Sequence, residues 1–204
     1  MTRIRIAATA TTLSLLVACG PPPGPSTTVH RINPNEQVDL SGEWNDTDAN
    51  QVARAMIQTC LSGPWLAKFK AEKGRDPVIR LSPIRNRSSE HINWRFFTKQ
   101  VESQLVNSGQ VQVVADWEEA EDQRYERADQ KDHASDTTVK SQGQETGSDF
   151  LLNGWINTQN DAAEGREVRA YITTMELINS ETNVKAWMHD YPIKKVITRA
   201  AHQW

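Results

Sequence analysis

Hydrophobic positions along this chain fall into stretches of two different periods, and those periods predict its elements. Val52, Met56 and Cys60, with Ile57 and Leu61 beside them, recur at helical spacing and form one apolar stripe. Asn45-Asp46-Thr47-Asp48 precedes the stripe and supplies capping side chains, while Ser62-Gly63-Pro64 stops it. Trp65, Leu66 and Phe69 predict a shorter helix that ends at Gly74. Pro77-Val78-Ile79-Arg80-Leu81 reads as a strand, and Arg85-Asn86-Arg87-Ser88-Ser89 as a loop ending in a helix cap. The next helix, over 90–107, places Trp94, Phe97, Val101 and Leu105 on one face; Ser108-Gly109 ends it, and Val111 to Val114 form a second strand. Strand, long crossover helix and strand make a right-handed parallel βαβ unit.

Residues 116–132 interleave acids and bases, with few apolar positions besides Trp117 and Tyr125, and predict a solvated helix. Its cluster Glu118, Glu119, Glu121 and Asp122 is read as an exposed face. The polar stretch through Ser141, Gly143 and Gly147 is expected to be a loop with a short helix. Phe150-Leu151-Leu152-Asn153-Gly154-Trp155-Ile156 then opens a β-rich part with period two. Tyr171, Thr173, Met175 and Leu177 share one strand face, and Val184, Ala186 and Met188 share one face of the strand after it. Turns near Asn160-Asp161 and Gly165, and over Asn179 to Asn183, join these strands into a meander. The predicted fold class is therefore α/β: a single mixed β-sheet, a parallel βαβ unit plus an antiparallel C-terminal meander, flanked by helices.

The amino-terminal end changes the picture, because it carries an address. Arg3 and Arg5 precede the apolar stretch Ile6 to Val17, which has the layout of a secretory signal and is too short to span a bilayer. Leu16-Val17-Ala18-Cys19 has the form of a lipobox, in which the Cys19 sulfur accepts a diacylglyceryl group. An ordinary cleaved signal followed by an incidental cysteine is the other reading. One acyl chain binds membranes only marginally, and two or more anchor stably, so the palmitate-type acylation that follows cleavage matters. Gly20 rather than Asp after the cysteine points to the outer membrane. The expected organisation is a signal peptide over 1–18, lipidated Cys19 with a Pro-rich linker over 19–39, and a globular domain over 40–204.

Charge and cysteine usage narrow the partners. The formal net charge is −3, and loss of Arg3 and Arg5 with the signal takes it to about −5. Lys and Arg are scattered, which excludes a nucleic-acid partner as a working expectation. Cys60 is left without an intramolecular disulfide partner and lies in an apolar pattern, where a buried, inert thiol is expected. No nucleophile elbow, phosphate loop, dinucleotide fingerprint or HExxH helix is present, and His30, His91, His133, His189 and His202 lack metal-ligand spacing. Neither catalysis nor a cofactor is expected.

Asn86-Arg87-Ser88 after the strand with Val78 and Ile79, then a helix and Gly109 before another strand, form a recognisable series. It continues through Thr146-Gly147-Ser148-Asp149-Phe150-Leu151-Leu152-Asn153-Gly154 and Glu176-Leu177-Ile178-Asn179-Ser180-Glu181-Thr182 to Ala186-Trp187. From Val78 to Trp187 the chain resembles the LpoB family of outer-membrane lipoproteins, activators of class A penicillin-binding proteins. The resemblance implies a lipid-anchored, periplasm-facing, monomeric regulator of peptidoglycan synthesis that takes part in cell-wall biogenesis and cell shape. The same motifs are similar to a wider envelope group that includes CsgG and the amino-terminal domain of TolB. The alternative function is accordingly a CsgG-like structural or assembly lipoprotein.

Candidate partner-binding residues follow from side-chain chemistry. Arg85 and Arg87 flank Asn86 on a loop, where they suit bidentate recognition of carboxylates on a protein or a stem peptide. The other reading is a strand-to-helix connection whose Asn and Ser cap the next helix. Trp44 is either a partner anchor or a staple onto the first helix, and Trp94 and Trp187 are expected in the core.

A Cys19→Ser variant is expected to leave the membrane fraction, and intact mass spectrometry of the wild-type protein is expected to show acyl chains on Cys19. Wild-type protein released by washing, with an unmodified Cys19, would contradict the lipid anchor.

Overall fold

The computed structural model describes residues 27–34 and 36–198. The signal segment, Cys19 and the Pro-rich run lie outside the described residues. The chain divides into the units Met1–Pro34 and Asn35–Trp204. In the first, residues 27–34 carry no helix or strand. The second holds α1 (Asp46–Leu61), α2 (Pro64–Lys73), β1 (Val78–Leu81), β2 (Arg85–Asn86), α3 (Trp94–Ser108), β3 (Gln112–Val114), α4 (Trp117–His133), β4 (Phe150–Ala163), β5 (Arg166–Asn179) and β6 (Lys185–Thr198).

The helices begin and end where side chains satisfy their free backbone groups. Asn45 caps α1 in a reciprocal box with Asp48, and Asp116 does the same for α4 with Glu119. Pro64 occupies the first turn of α2, and Gly74 and Gly109 close α2 and α3 in the left-handed conformation. The expected stripe of α1 is buried: Val52, Met56 and Cys60 are fully enclosed. Burial also pushes the Cys60 thiol up to about 12, so it stays protonated and inert.

All six strands form one mixed sheet in the order β3-β1-β4-β5-β6, with β2 also paired to β4. β1 is parallel to both β3 and β4, while β4, β5 and β6 form the antiparallel meander. Phe97, Val101 and Leu105 of α3 join the α1 stripe against Ile79, Leu152, Ile156, Tyr171, Met175 and Leu177. This inner face holds the core. On the opposite face, Arg80 of β1 lies 4.3 Å from the centroid of the Trp117 ring, which places the start of α4 over that part of the sheet.

Several expectations are corrected. The 85–89 segment is not wholly a loop: Arg85 and Asn86 pair with Trp155 and Ile156 of β4. Two polar residues give no strand signature, and the pairing comes from tertiary register. α3 begins at Trp94, not at 90, because Asn93 supplies the cap and Ile92 is drawn into the core before it. Trp94, at the first turn, is only half-buried and stands apart from the core cluster, whereas Trp187 packs against it. Residues 134–149 contain turns and no helix. The β4–β5 turn is tighter than expected, with only Glu164 and Gly165 between the strands, both at positive φ.

The shared face expected for Val184, Ala186 and Met188 is also broken, since Ala186 packs on the core beside Trp187 while the other two are exposed. Leu177 pairs with Trp187 but Ile178 pairs with Lys185, so β6 carries one extra residue at Ala186. A one-residue slip moves every later side chain to the opposite face. Trp187, Tyr191 and Ile193 therefore pack inward, and Val184 and Met188 are exposed.

Phe97→Ala is expected to destabilise the domain by about 3–5 kcal/mol, measured by denaturant unfolding. Glu164→Asn is expected to raise the midpoint slightly, because Asn tolerates a left-handed turn position better than Glu. A lowered midpoint for Glu164→Asn would show that the turn is set by something other than backbone preference.

Candidate partner-docking site

The direction of the two candidate arginines is set by a slip near Pro83. Leu81 pairs with Leu152 on the inner face, and Arg85 pairs with Trp155; four steps along one strand match three along the other. Pro83 has no N–H to donate to a ladder, which suits it to such an irregularity. The extra residue turns Ile84 inward, where it is fully buried, and leaves Arg85 and Arg87 exposed on the outer side. Gly154 accommodates this close approach, since a Cβ there would stand 3.1 Å from Met175 and 3.4 Å from Ile84.

Asn86 holds the turn that follows. Its amide N–H donates to the Glu90 carbonyl at 2.7 Å, and its side-chain oxygen accepts from the Ser88 N–H and hydroxyl at 2.9 and 2.7 Å. The Arg87 N–H continues the pairing to the Ile156 carbonyl at 2.9 Å. The Arg87 guanidinium lies 4.8 Å from the Trp155 ring centroid, which gives the cation an aromatic shelf. Arg85, Arg87, Asn153 and Trp155 border a cleft of about 290 Å³ with Glu176 in its wall. Lys185 balances Glu176 across an ion pair of 2.5 Å. No carboxylate among the described residues bonds to the Arg85 or Arg87 side chain, so both forks remain open for an incoming acceptor.

A part-buried network that the sequence did not reveal fixes this turn to the sheet. The Tyr171 hydroxyl donates to the Glu90 carboxylate, whose oxygens lie at 2.7 and 2.8 Å, and Arg169 donates at 2.7 Å. The Trp44 backbone N–H reaches the same carboxylate at 3.4 Å. Burial first, and then the neighbouring Glu90 carboxylate, push the Tyr171 phenol well above its ordinary value. Glu90 lies 79 and 81 positions from these partners, and no spacing rule links them.

Trp44 sits with its ring edge-on to Phe97 and Tyr171, at 5.6 and 5.5 Å between centroids. Beside it, the Lys195 ammonium donates to buried Asp48 at 2.6 Å, to Asp39 at 3.0 Å and to the Glu43 carbonyl at 2.9 Å. Burial works against the Lys195 cation, and the two carboxylates outweigh it, so its pKa is raised. A hydrogen bond from Gln37, then those from Lys195 and Asn45, lower Asp39 to about 2. These contacts hold the 37–44 segment against β6 and keep Trp44 on the core.

The model of the peptidoglycan-synthase activator LpoB family matches residues 48–193. Among solved structures, the LpoB C-terminal domain from Escherichia coli is 16% identical, with a TM-score of 0.42, over 72% of this chain and 99% of that one. The corresponding domain from Salmonella enterica is 16% identical, with a TM-score of 0.37, over 65% and 94%. The NMR structure of E. coli LpoB is 14% identical, with a TM-score of 0.37, over 96% of both chains. No curated protein sequence matches the chain.

The Asp39 shift has a definite sign. A carboxyl whose folded pKa is depressed contributes stability that is whole above its unfolded value and is lost as pH falls through its folded value. The window therefore runs from 3.8 down to about 2. Lys195→Met is expected to shift the acid transition to higher pH and to cost about 3–5 kcal/mol at neutral pH, because it strands the buried Asp48 carboxylate. Circular dichroism against pH checks both; an unchanged acid midpoint would contradict the clamp.

Proposed function

The chain belongs to the LpoB family of peptidoglycan-synthase activators, and on that premise we propose that it binds a class A penicillin-binding protein and stimulates it allosterically. The family match over 48–193 carries this reading. The arrangement at Arg85 and Arg87 supports it, because two outward guanidiniums without carboxylate partners form a rigid receptor for a protein's acidic side chains. We assign contact to these two arginines, and a supporting role to Asn86 and Trp44, whose side chains organise the turn and the neighbouring core.

Activation requires no chemistry from this chain. It requires tighter binding to the synthase's active conformation than to its resting one, and each difference of about 1.4 kcal/mol shifts the balance roughly tenfold. The anchor is lipid on Cys19 at the outer membrane, with the domain facing the periplasm as a monomer. Among the described residues no helix is long and apolar enough to cross a membrane.

Glycan polymerisation by a purified class A penicillin-binding protein is expected to accelerate when the wild-type chain is added. The Arg85→Ala/Arg87→Ala double variant is expected to need roughly tenfold or more protein for the same effect, in line with loss of charge-assisted contacts. No acceleration of any class A synthase by the wild-type chain would remove the activator reading.

A further inference from the structure

We propose that the outer face of β4, β5 and β6 is the docking surface, and that its occupant is a protein segment presenting apolar side chains bordered by carboxylates. This deepens the synthase reading and rests on it for the identity of the partner. The face is defined by register. Val168 stands opposite Val196, Ile172 opposite Pro192, and Glu176 opposite Met188, all with the parity opposite to the buried Tyr171, Met175 and Leu177. Across β4 the same rows continue: Asn157 is opposite Ile172, and Trp155 opposite Thr174. β2 completes the row at Arg85, beside Trp155.

These apolar side chains are open to solvent. Val196 is 59% exposed, Met188 52%, Ile172 37% and Val168 36%, in cross-strand rows that alternate with the rows Ala170–Lys194 and Thr174–Asp190. α1, α2 and α3 pack on the other face, and the Trp117 contact of α4 falls on β1. At strand spacings of about 4.8 Å and about 3.4 Å per residue, the strip measures roughly 15 by 27 Å. That is about half of the roughly 800 Å² that each partner buries in a standard interface, so the surface suits a modest interface completed at its rim.

Charge selects the occupant. Of the acids on the face, Glu176 pairs with Lys185, Asp190 accepts from the Thr174 hydroxyl at 2.6 Å, and Asp161, opposite Val168, lies exposed at the end of β4 away from Arg85. Arg85 and Arg87 at one border, and exposed Lys194 opposite Ala170 in the middle, have no carboxylate partner among the described residues. With Arg85 and Arg87 together at the border remote from Asp161, charge at that end of the face favours an acidic, amphipathic segment over a basic one.

The test has two arms on the full-length chain. In the first, a synthetic peptide alternating Leu or Val with Glu is titrated while methyl resonances are followed by NMR. Shifts confined to Ile172, Met188, Val168 and Val196, with a Kd at or below about 1 mM that weakens at least tenfold in Arg85→Glu/Arg87→Glu, are expected. A Lys-substituted peptide is expected not to bind. Absence of binding by the Glu peptide, shifts instead at the separate groove that Trp65 and Phe69 of α2 line with Phe150 and Val184, or equal binding of the Lys peptide would overturn the proposal.

In the second arm, a photo-crosslinking residue replaces Ile172 or, as a control, Lys68, and a purified class A penicillin-binding protein is added. An adduct from position 172 and none from 68 supports the face. Retention with an adduct from 68 alone overturns the face and leaves the synthase reading standing. A chain–chain adduct from 172, with doubled mass by light scattering, overturns the assigned occupant. Peptide binding at the face without any retention of the synthase sustains the surface and rejects the synthase as its occupant.

Discussion

Helices seal one face of the sheet, and that single constraint fixes where every strand side chain points. Once Tyr171, Met175, Leu177, Leu152 and Ile156 are committed to the core, their neighbours have no choice but the other face. Two one-residue slips then decide which residues a partner can meet. The slip around Pro83 sends Ile84 inward and the arginines outward, and the slip at Ala186 sends Trp187 inward and Met188 outward. Each slip is held by burial of an apolar side chain, so the outer surface is specified by the packing of the inner one.

Polar interactions make that arrangement rigid. The Glu90 carboxylate draws donors from Tyr171, Arg169 and the backbone of Trp44 to one point, tying the turn after β2, the entry to α1 and β5 together. Lys195 does the same for the 37–44 segment through Asp39 and Asp48. Removing one member of such a group leaves others buried and unsatisfied, which is why these networks define the geometry around the arginines more than they add net stability. A receptor built this way presents its guanidiniums at little conformational cost on binding.

The fold was legible wherever a period was long enough to be read. Val52, Met56 and Cys60 announced α1, and Tyr171 to Leu177 announced the inner face of β5. At β6 a bulge takes Ala186 off the face of Met188, a change of phase that leaves no mark in composition. β2 was invisible: it is two polar residues whose strand character comes entirely from β4. At the site, Arg85 and Arg87 could be nominated by their chemistry, but the Trp155 shelf and the Glu90 network join residues distant in sequence, and only the assembled sheet brings them together.

The central claim is that an open sheet face with free arginines recognises an acidic surface of a synthase. Its most direct measurement is the affinity of the full-length chain for a purified class A penicillin-binding protein, by calorimetry, across a series of salt concentrations. The account predicts specific binding that weakens steadily as salt rises and carries a negative heat-capacity change from the buried apolar strip. Binding indifferent to salt, or no binding at low salt, would contradict it.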